Sequence, residues 1–298
     1  MRVSGFTICR DAMRFGYPLQ ESLRSLLPLV DELVVAVGDG DDGTWEAVTG
    51  LGDERIVAFR TKWDPARFDG GRALADQTNL ALARCSGDWA MYLQSDEVLH
   101  EGHLGPIRER MQRYLDTPVE GLSFRFFHFY GAYDVVQDNW CAWYRRETRA
   151  VRTGRGVASV GDAAGFRIKT GQGMRRLIRA DAAATVYHYG WVRPPALMVA
   201  KQAHAVRTRS ETAAATTTDE NPFTALGNLM RFPGVHPHVM RGRIAARDWT
   251  FDDAIAQQPP RWARHLALAR TCPRGALRLL GARWILSWNS LAGTPKVR

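Results

Sequence analysis

Residues 89–100 read WAMYLQSDEVLH: a dense apolar run, Trp89 to Leu93, that breaks abruptly into Gln94, Ser95, Asp96 and Glu97. Such a run, with no polar interruption, predicts a strand over residues 88–93 that is buried on both faces. A strand that crosses a core and finishes on two adjacent acids delivers them to the rim of the sheet, where ligands sit in α/β folds. Glu97 by itself also suits a plainer role, capping the helix that follows.

Working outward, the first hundred residues alternate β-rich runs with helix-period segments, the pattern of an α/β unit with a mainly parallel sheet. VSGFTIC at the N-terminus predicts a first strand, residues 31–38 a second and residues 55–59 a third. Leu19, Leu23, Leu26, Leu27 and Val30 stripe one face of a helix within residues 17–30. Asp42 is placed to cap a short helix that starts near Thr44. Gly70 and Gly71 open another helix, with Leu74, Thr78, Ala81, Leu82 and Cys85 on one face. Arg10, Asp11, Asp39 and Asp96 then all fall just past strand ends, around one crevice.

Beyond residue 119 the chain turns aromatic and basic. GLSFRFFHFYGAY and NWCAWYRRETRAVR alternate enough to be strands of a mixed or antiparallel part, residues 155–175 read as a Gly-rich loop, and ATVYHYGWVRPP is a strand halted by Pro-Pro. A helix is expected over residues 196–209, then a Thr- and Ala-rich flexible segment near residues 207–222. The remainder reads as a basic, Trp-rich helical extension, so the expected division is 1–195 and 196–298.

At 298 residues, with 45% hydrophobic side chains, a sizeable core is expected. Cys9, Cys85, Cys141 and Cys272 show neither zinc-knuckle nor disulfide spacing, which fits a reducing cytoplasm. Early charges argue against a signal-peptide core, and no uncharged apolar run approaches the roughly 20 residues of a membrane span. The net charge of +9 suggests an anionic partner. A nucleic acid is disfavoured, because the basic residues are scattered and no zinc-finger or RNP-like motif is present. A nicotinamide-type Rossmann site is disfavoured too, since RDAMRFGYP stands where GxGxxG would open the first helix.

Four signals together carry a resemblance: FTICRDA closing the first strand, GDGDDGT after the second, Asn79 on the helix before the fourth, and GDW leading into the strand that ends in DE. This order resembles a family 2 glycosyltransferase of the GT-A fold, and implies a Rossmann-like, mainly parallel sheet flanked by helices. The implied donor-binding half spans residues 1–100 and the acceptor half residues 101–195. In that family the fourth strand ends in D-x-D, whose acids hold a divalent cation, Mn²⁺ or Mg²⁺, on a nucleotide-sugar diphosphate. Here Gln94 replaces the first acid, so Asp96 is the implied metal ligand, joined by a late histidine, His188, while Gln94 and Ser95 are implied donor contacts. After the second strand the family usually shows two acids and G-S-T-D-G-T; Val37, Gly38 and Asp39 stand here, which makes Asp39 the implied base contact.

Thr7, Cys9, Arg10, Arg72, Asn79, Arg193 and Lys201 complete the implied nucleotide-sugar contacts, the last two beside the leaving diphosphate. A carboxylate base is implied further on, Asp162 on its Gly-flanked loop or, alternatively, Glu147 among arginines. The resemblance implies sugar transfer to a hydroxyl of a glycan or lipid-linked acceptor, with inversion, in polysaccharide or lipopolysaccharide synthesis, from a UDP-sugar by family habit. The alternative is a catalytically inactive, glycosyltransferase-like binding protein. The basic C-terminal segment could rest on an anionic membrane or simply pack on the catalytic domain.

Overall fold

Val3–Cys9 is buried at every position and Glu32–Gly38 at all but its first, as strands are where both faces of a sheet are covered. The computed structural model describes residues 1–68, 71–137, 143–209, 223 and 229–251. In chain order these form β1 (Val3–Cys9), α1 (Leu19–Leu26), β2 (Glu32–Gly38), α2 (Thr44–Thr49), β3 (Ile56–Thr61), α3 (Arg72–Leu82), β4 (Trp89–Tyr92) and β5 (Glu97–Leu99). Then follow α4 (Leu104–Arg113), β6 (Gly121–Tyr130), β7 (Ala132–Gln137), β8 (Arg146–Arg152), β9 (Val157–Val160), β10 (Gly165–Thr170) and β11 (Gly173–Arg175). The last are β12 (Arg179–Trp191), α5 (Pro195–Arg209), β13 (Leu229–Arg231) and α6 (Arg241–Ala245).

The main sheet runs β13-β7-β6-β8-β4-β1-β2-β3, with β12 pairing β6 and β5 off this path. Strands β3, β2, β1 and β4 are parallel, as crossover helices require. From β4 onward the pairing to β8, β6 and β7 turns antiparallel, so the sheet as a whole is mixed rather than mainly parallel. Alternation sorts the side chains to two cores. Leu33, Val35 and Val37 face α1 and α4, whereas Val34 and Ala36 face α3 and β10. A third, aromatic cluster joins Phe129, Tyr187, Tyr189 and Tyr133 to Met240, Phe232 and Trp249.

Three local expectations are corrected. Residues 155–175, read as a loop, contain the antiparallel sheet β11-β10-β9; the glycines serve the turns, and Phe166 and Ile168 alternate inward from short strands. The cap of α2 falls on Gly43, with φ +82°, although Asp42 Oδ1 still accepts from the Thr44 N–H at 3.1 Å. Within the supposedly helical end, residues 229–231 form a strand that pairs with β7. Most of the Thr- and Ala-rich segment (210–222) and residues 252–298, including the basic Trp-rich stretch, lie outside the described residues. Among the described residues no helix is long and apolar enough to cross a membrane.

Candidate active site

The turn that follows β4 places Asp96, and the antiparallel register of β5 with β12 sets His188 opposite Glu97, so the two residues meet at the sheet's rim. The Tyr189 N–H donates to the Asp96 carbonyl at 2.8 Å, which locks the two segments together. Asp96 Oδ2 lies 3.6 Å from His188 Nε2 and 3.8 Å from Lys201 Nζ. Asp96 is 7% exposed and His188 9%. Burial raises the Asp96 carboxyl, but the charges of His188, Lys201 and Arg193, with a hydrogen bond from His188, outweigh it and hold the group well below the ordinary carboxylate range.

A register shift in β12 between His188 and Trp191 leaves Gly190 against this pair. A Cβ on Gly190 would stand 2.5 Å from His188 Nε2 and 2.8 Å from Asp96 Oδ2. Two acceptor-bearing side chains thus share a small cradle that only a glycine leaves open. Among the described residues no three His, Cys, Asp or Glu side chains form a cage. A carboxylate and an imidazole that leave other positions to substrate oxygens nevertheless fit Mg²⁺ or Mn²⁺, which commonly take few protein ligands when bound to phosphates. Lys201 Nζ and Arg193 Nη2 both donate to the Gly190 carbonyl, at 2.6 and 3.0 Å, and both lie over the Tyr17 ring. Two fixed cations therefore flank the carboxylate.

At the ends of β1 and β2 lies a second cluster. Arg10 Nε donates to the Asp39 carbonyl at 3.0 Å and sits near the carboxylates of Asp39 and Asp11, with its guanidinium 5.6 Å from the Trp63 ring. Asp11 holds φ +51°, a conformation costly for a residue with a side chain. This edge brings Arg10 and Asp39 together as expected and adds Trp63, whose indole N–H is buried without a hydrogen-bond partner.

Asp162 and Glu147 converge on one loop. Asp162 is exposed between β9 and β10, and a Cβ on Gly71, itself at φ +72°, would come 2.7 Å from the Asp162 Cβ. The Glu147 carboxylate accepts from the Thr148 N–H at 2.8 Å and faces Gly165 on the same loop. Its neighbour Arg146 turns instead to Asp181 at 2.7 Å. Arg149 joins this loop to the acids: it grips Glu97 with two bonds of 2.7 Å and donates to the Ala164 carbonyl at 2.9 Å. Glu97 is therefore no helix cap but half of a buried ion pair, because its strand position points it at Arg149.

Other expected contacts do structural work. Thr7 Oγ1 donates to the Leu93 carbonyl and Ser95 Oγ to the Ile8 carbonyl, at 2.6 and 2.9 Å. Cys9 is buried in the core, where burial and then Asp42 push its thiol up to about 12. Asn79 uses both ends of its amide on the Ser159 backbone, at 2.8 and 3.1 Å. The Gln94 N–H donates to Glu97 Oε2 at 3.2 Å. Arg72 is exposed at the start of α3.

His128, Gly190, Arg149 and Tyr17 were not singled out from the sequence. His128 had one signal, a lone imidazole in the aromatic run FRFFHFY. In the register of β6 with β12 it lies opposite His188. Its ring is 3% exposed, and burial followed by the charge of His188 lowers its pKa to about 3.

Among solved structures, TarS from S. aureus aligns over 69% of this chain and 39% of its own, at 13% identity and a TM-score of 0.40. A TarS 1–349 structure in complex with UDP-GlcNAc aligns over 71% of each chain at 14% identity and TM-score 0.40. Glucosyl-3-phosphoglycerate synthase from Mycobacterium tuberculosis, in complex with Mg²⁺ and UDP, aligns over 43% of each chain at 19% identity and TM-score 0.29. The chain thus spans well under half of the TarS chain, and at similarities this low no residue role transfers. No curated protein sequence matches. The family model for glycosyl transferase family 2 matches residues 17–177, a stretch that runs from just before α1 past β11 and so includes Asp96 but neither β1 nor β12; the chain belongs to that family.

Proposed function

We propose that the chain transfers a sugar from a nucleotide-sugar donor to an acceptor hydroxyl, with inversion, with Asp96 and His188 holding Mn²⁺ or Mg²⁺ against the donor diphosphate. The observation that carries this reading is the Asp96–His188 pair at 3.6 Å, with the Gly190 cradle, at the rim of a family 2 domain. The cation, when bound, supplies charge neutralisation to the departing diphosphate. Lys201 and Arg193 add fixed positive charge at the same place, where negative charge develops. Arg10 and Asp39, with Trp63, offer an edge for the base and ribose. Asp162 takes the acceptor proton, with Glu147, on β8 beside that loop, as the alternative base.

The donor half is assigned to residues 1–100 and the acceptor half to residues 101–195. Uridine is the assigned base, on family habit. The acceptor is assigned to a glycan or lipid-linked class made at the cytoplasmic side of a membrane, which the net charge of +9 would favour for an anionic surface. A second reading, a binding protein without transfer activity, is favoured by Gln94 in place of an acid.

The test is binding of a panel of nucleotides and nucleotide sugars with Mn²⁺, Mg²⁺ or EDTA, repeated on Asp96→Ala. Metal-dependent binding of one nucleoside diphosphate, lost in Asp96→Ala by roughly a hundredfold or more, supports the transferase. Absence of binding under every condition would remove it in favour of the second reading.

A further inference from the structure

Where α1, β7, α6 and the turn after β12 meet there is a cavity of about 440 Å³, within the roughly 300–1,000 Å³ of small-molecule sites. Tyr133, Trp249 and Leu197 give it flat and aliphatic walls, and Glu21, Arg243 and Arg193 supply its charged groups. Of these only Arg193 also acts on Asp96. The Trp249 indole N–H donates to the Gly131 carbonyl at 3.1 Å, and its ring lies 6.0 Å from that of Tyr133, so the aromatic wall is held in place by the fold. Glu21 and Arg243 form a two-bond pair, Nε to Oε1 at 2.8 Å and Nη2 to Oε2 at 3.3 Å, with side chains 16% and 30% exposed. Arg193 is 1% exposed, and its Nε has no hydrogen-bond partner among the described residues, which leaves a spare donor in the lining.

These groups select a chemistry. A rigid ring with an apolar C–H face and hydroxyls round its edge covers the aromatics with its face and offers each hydroxyl as both donor and acceptor. A carboxylate held side by side with a guanidinium presents an acceptor and a donor together, which adjacent hydroxyls match. A purely apolar ligand would strip water from the Glu21–Arg243 pair without replacing it. We propose that this cavity is a saccharide-binding site, separate from the donor crevice, that takes one pyranose ring of a glycan. In the transferase reading above, on which only this last assignment rests, the ring belongs to the acceptor at a distance from its reacting hydroxyl, where its binding energy positions the reacting end.

The experiment is saturation-transfer-difference NMR on the full chain, without metal or nucleotide. The probes are methyl β-glucopyranoside, methyl α-mannopyranoside and methyl N-acetyl-β-glucosaminide, with sorbitol as the open-chain control. At least one pyranoside should receive saturation at its ring C–H protons, while sorbitol, which has the hydroxyls but no ring face, receives none. Trp249→Leu and Glu21→Gln should each weaken that binding about tenfold or more, with Mn²⁺-dependent nucleotide binding kept. Binding of none of the three pyranosides would overturn the proposal, as would equal saturation of sorbitol or binding undiminished in Glu21→Gln. The glutamine variant decides the matter even if Trp249→Leu does not fold. A wild type that binds a pyranoside through these residues but no nucleotide under any metal condition would instead overturn the transferase and leave the saccharide site standing.

Discussion

At Gly190 one missing methyl group leaves the space between two side chains open. No left-handed φ is imposed there, so alanine meets no backbone strain; its Cβ meets His188 Nε2 at 2.5 Å and Asp96 Oδ2 at 2.8 Å instead. Gly190→Ala should weaken metal-dependent nucleotide binding by at least about tenfold, with an overpacking cost of about 1–3 kcal/mol. Gly5→Ala is the matching control. Its Cβ would press on Leu33 Cδ1 at 2.8 Å, inside the core rather than at the rim. Denaturation should show loss of stability in both variants, whereas calorimetric titration of nucleotide with Mn²⁺ should show weakened binding only in Gly190→Ala. Asp96 was legible as a rim residue because it follows closely on an apolar run. Gly190 was not, since one glycine after YHY carries no sign of what its absent side chain would strike.

The Asp96 turn is held as an element by a neighbour the sequence made look incidental. Glu97 and Arg149 are both fully buried and bonded through two contacts of 2.7 Å, with the guanidinium 5.0 Å from the Phe126 ring. Desolvation works against the Arg149 charge, yet Glu97 more than compensates and holds its pKa above the ordinary arginine value. Removing one partner strands the other's charge in the core, so Arg149→Met should cost about 3–5 kcal/mol in urea denaturation. The double variant Arg149→Met/Glu97→Leu should regain most of that loss, because no charge remains to be solvated. Arg149 also bonds the Ala164 carbonyl, so turnover should stay low in the double variant even as stability returns, with the loop between β9 and β10 released. Equal recovery of turnover would mean that the pair serves folding alone.

For the whole molecule, half-buried histidines set the response to acid. Burial, followed by the charge of His100, lowers His103 to about 4; burial also lowers His236 to about 4, against an ordinary 6.5 for both. Between about pH 6.5 and pH 4 the unfolded chain binds protons at these rings and the folded chain does not, so unfolding is favoured as pH falls. Above pH 6.5 both states are neutral there and the contribution vanishes. The thermal midpoint should therefore drop through that window, and His103→Gln/His236→Gln should flatten the drop. An unchanged slope would assign acid sensitivity to other groups.

The sequence by itself determined the α/β alternation, because the periods of the apolar residues dictate which segments become strands buried on both faces and which become amphipathic helices. It also marked Arg10, Asp39 and Asp96 as rim residues, since each stands where an apolar run stops. Only the tertiary structure decided that His188 meets Asp96, that His128 lies behind it, that Asn79 clamps Ser159 and that Glu97 seeks Arg149. Those relations depend on strand register between segments far apart in the chain, and a shift of one residue would turn every side chain to the other face.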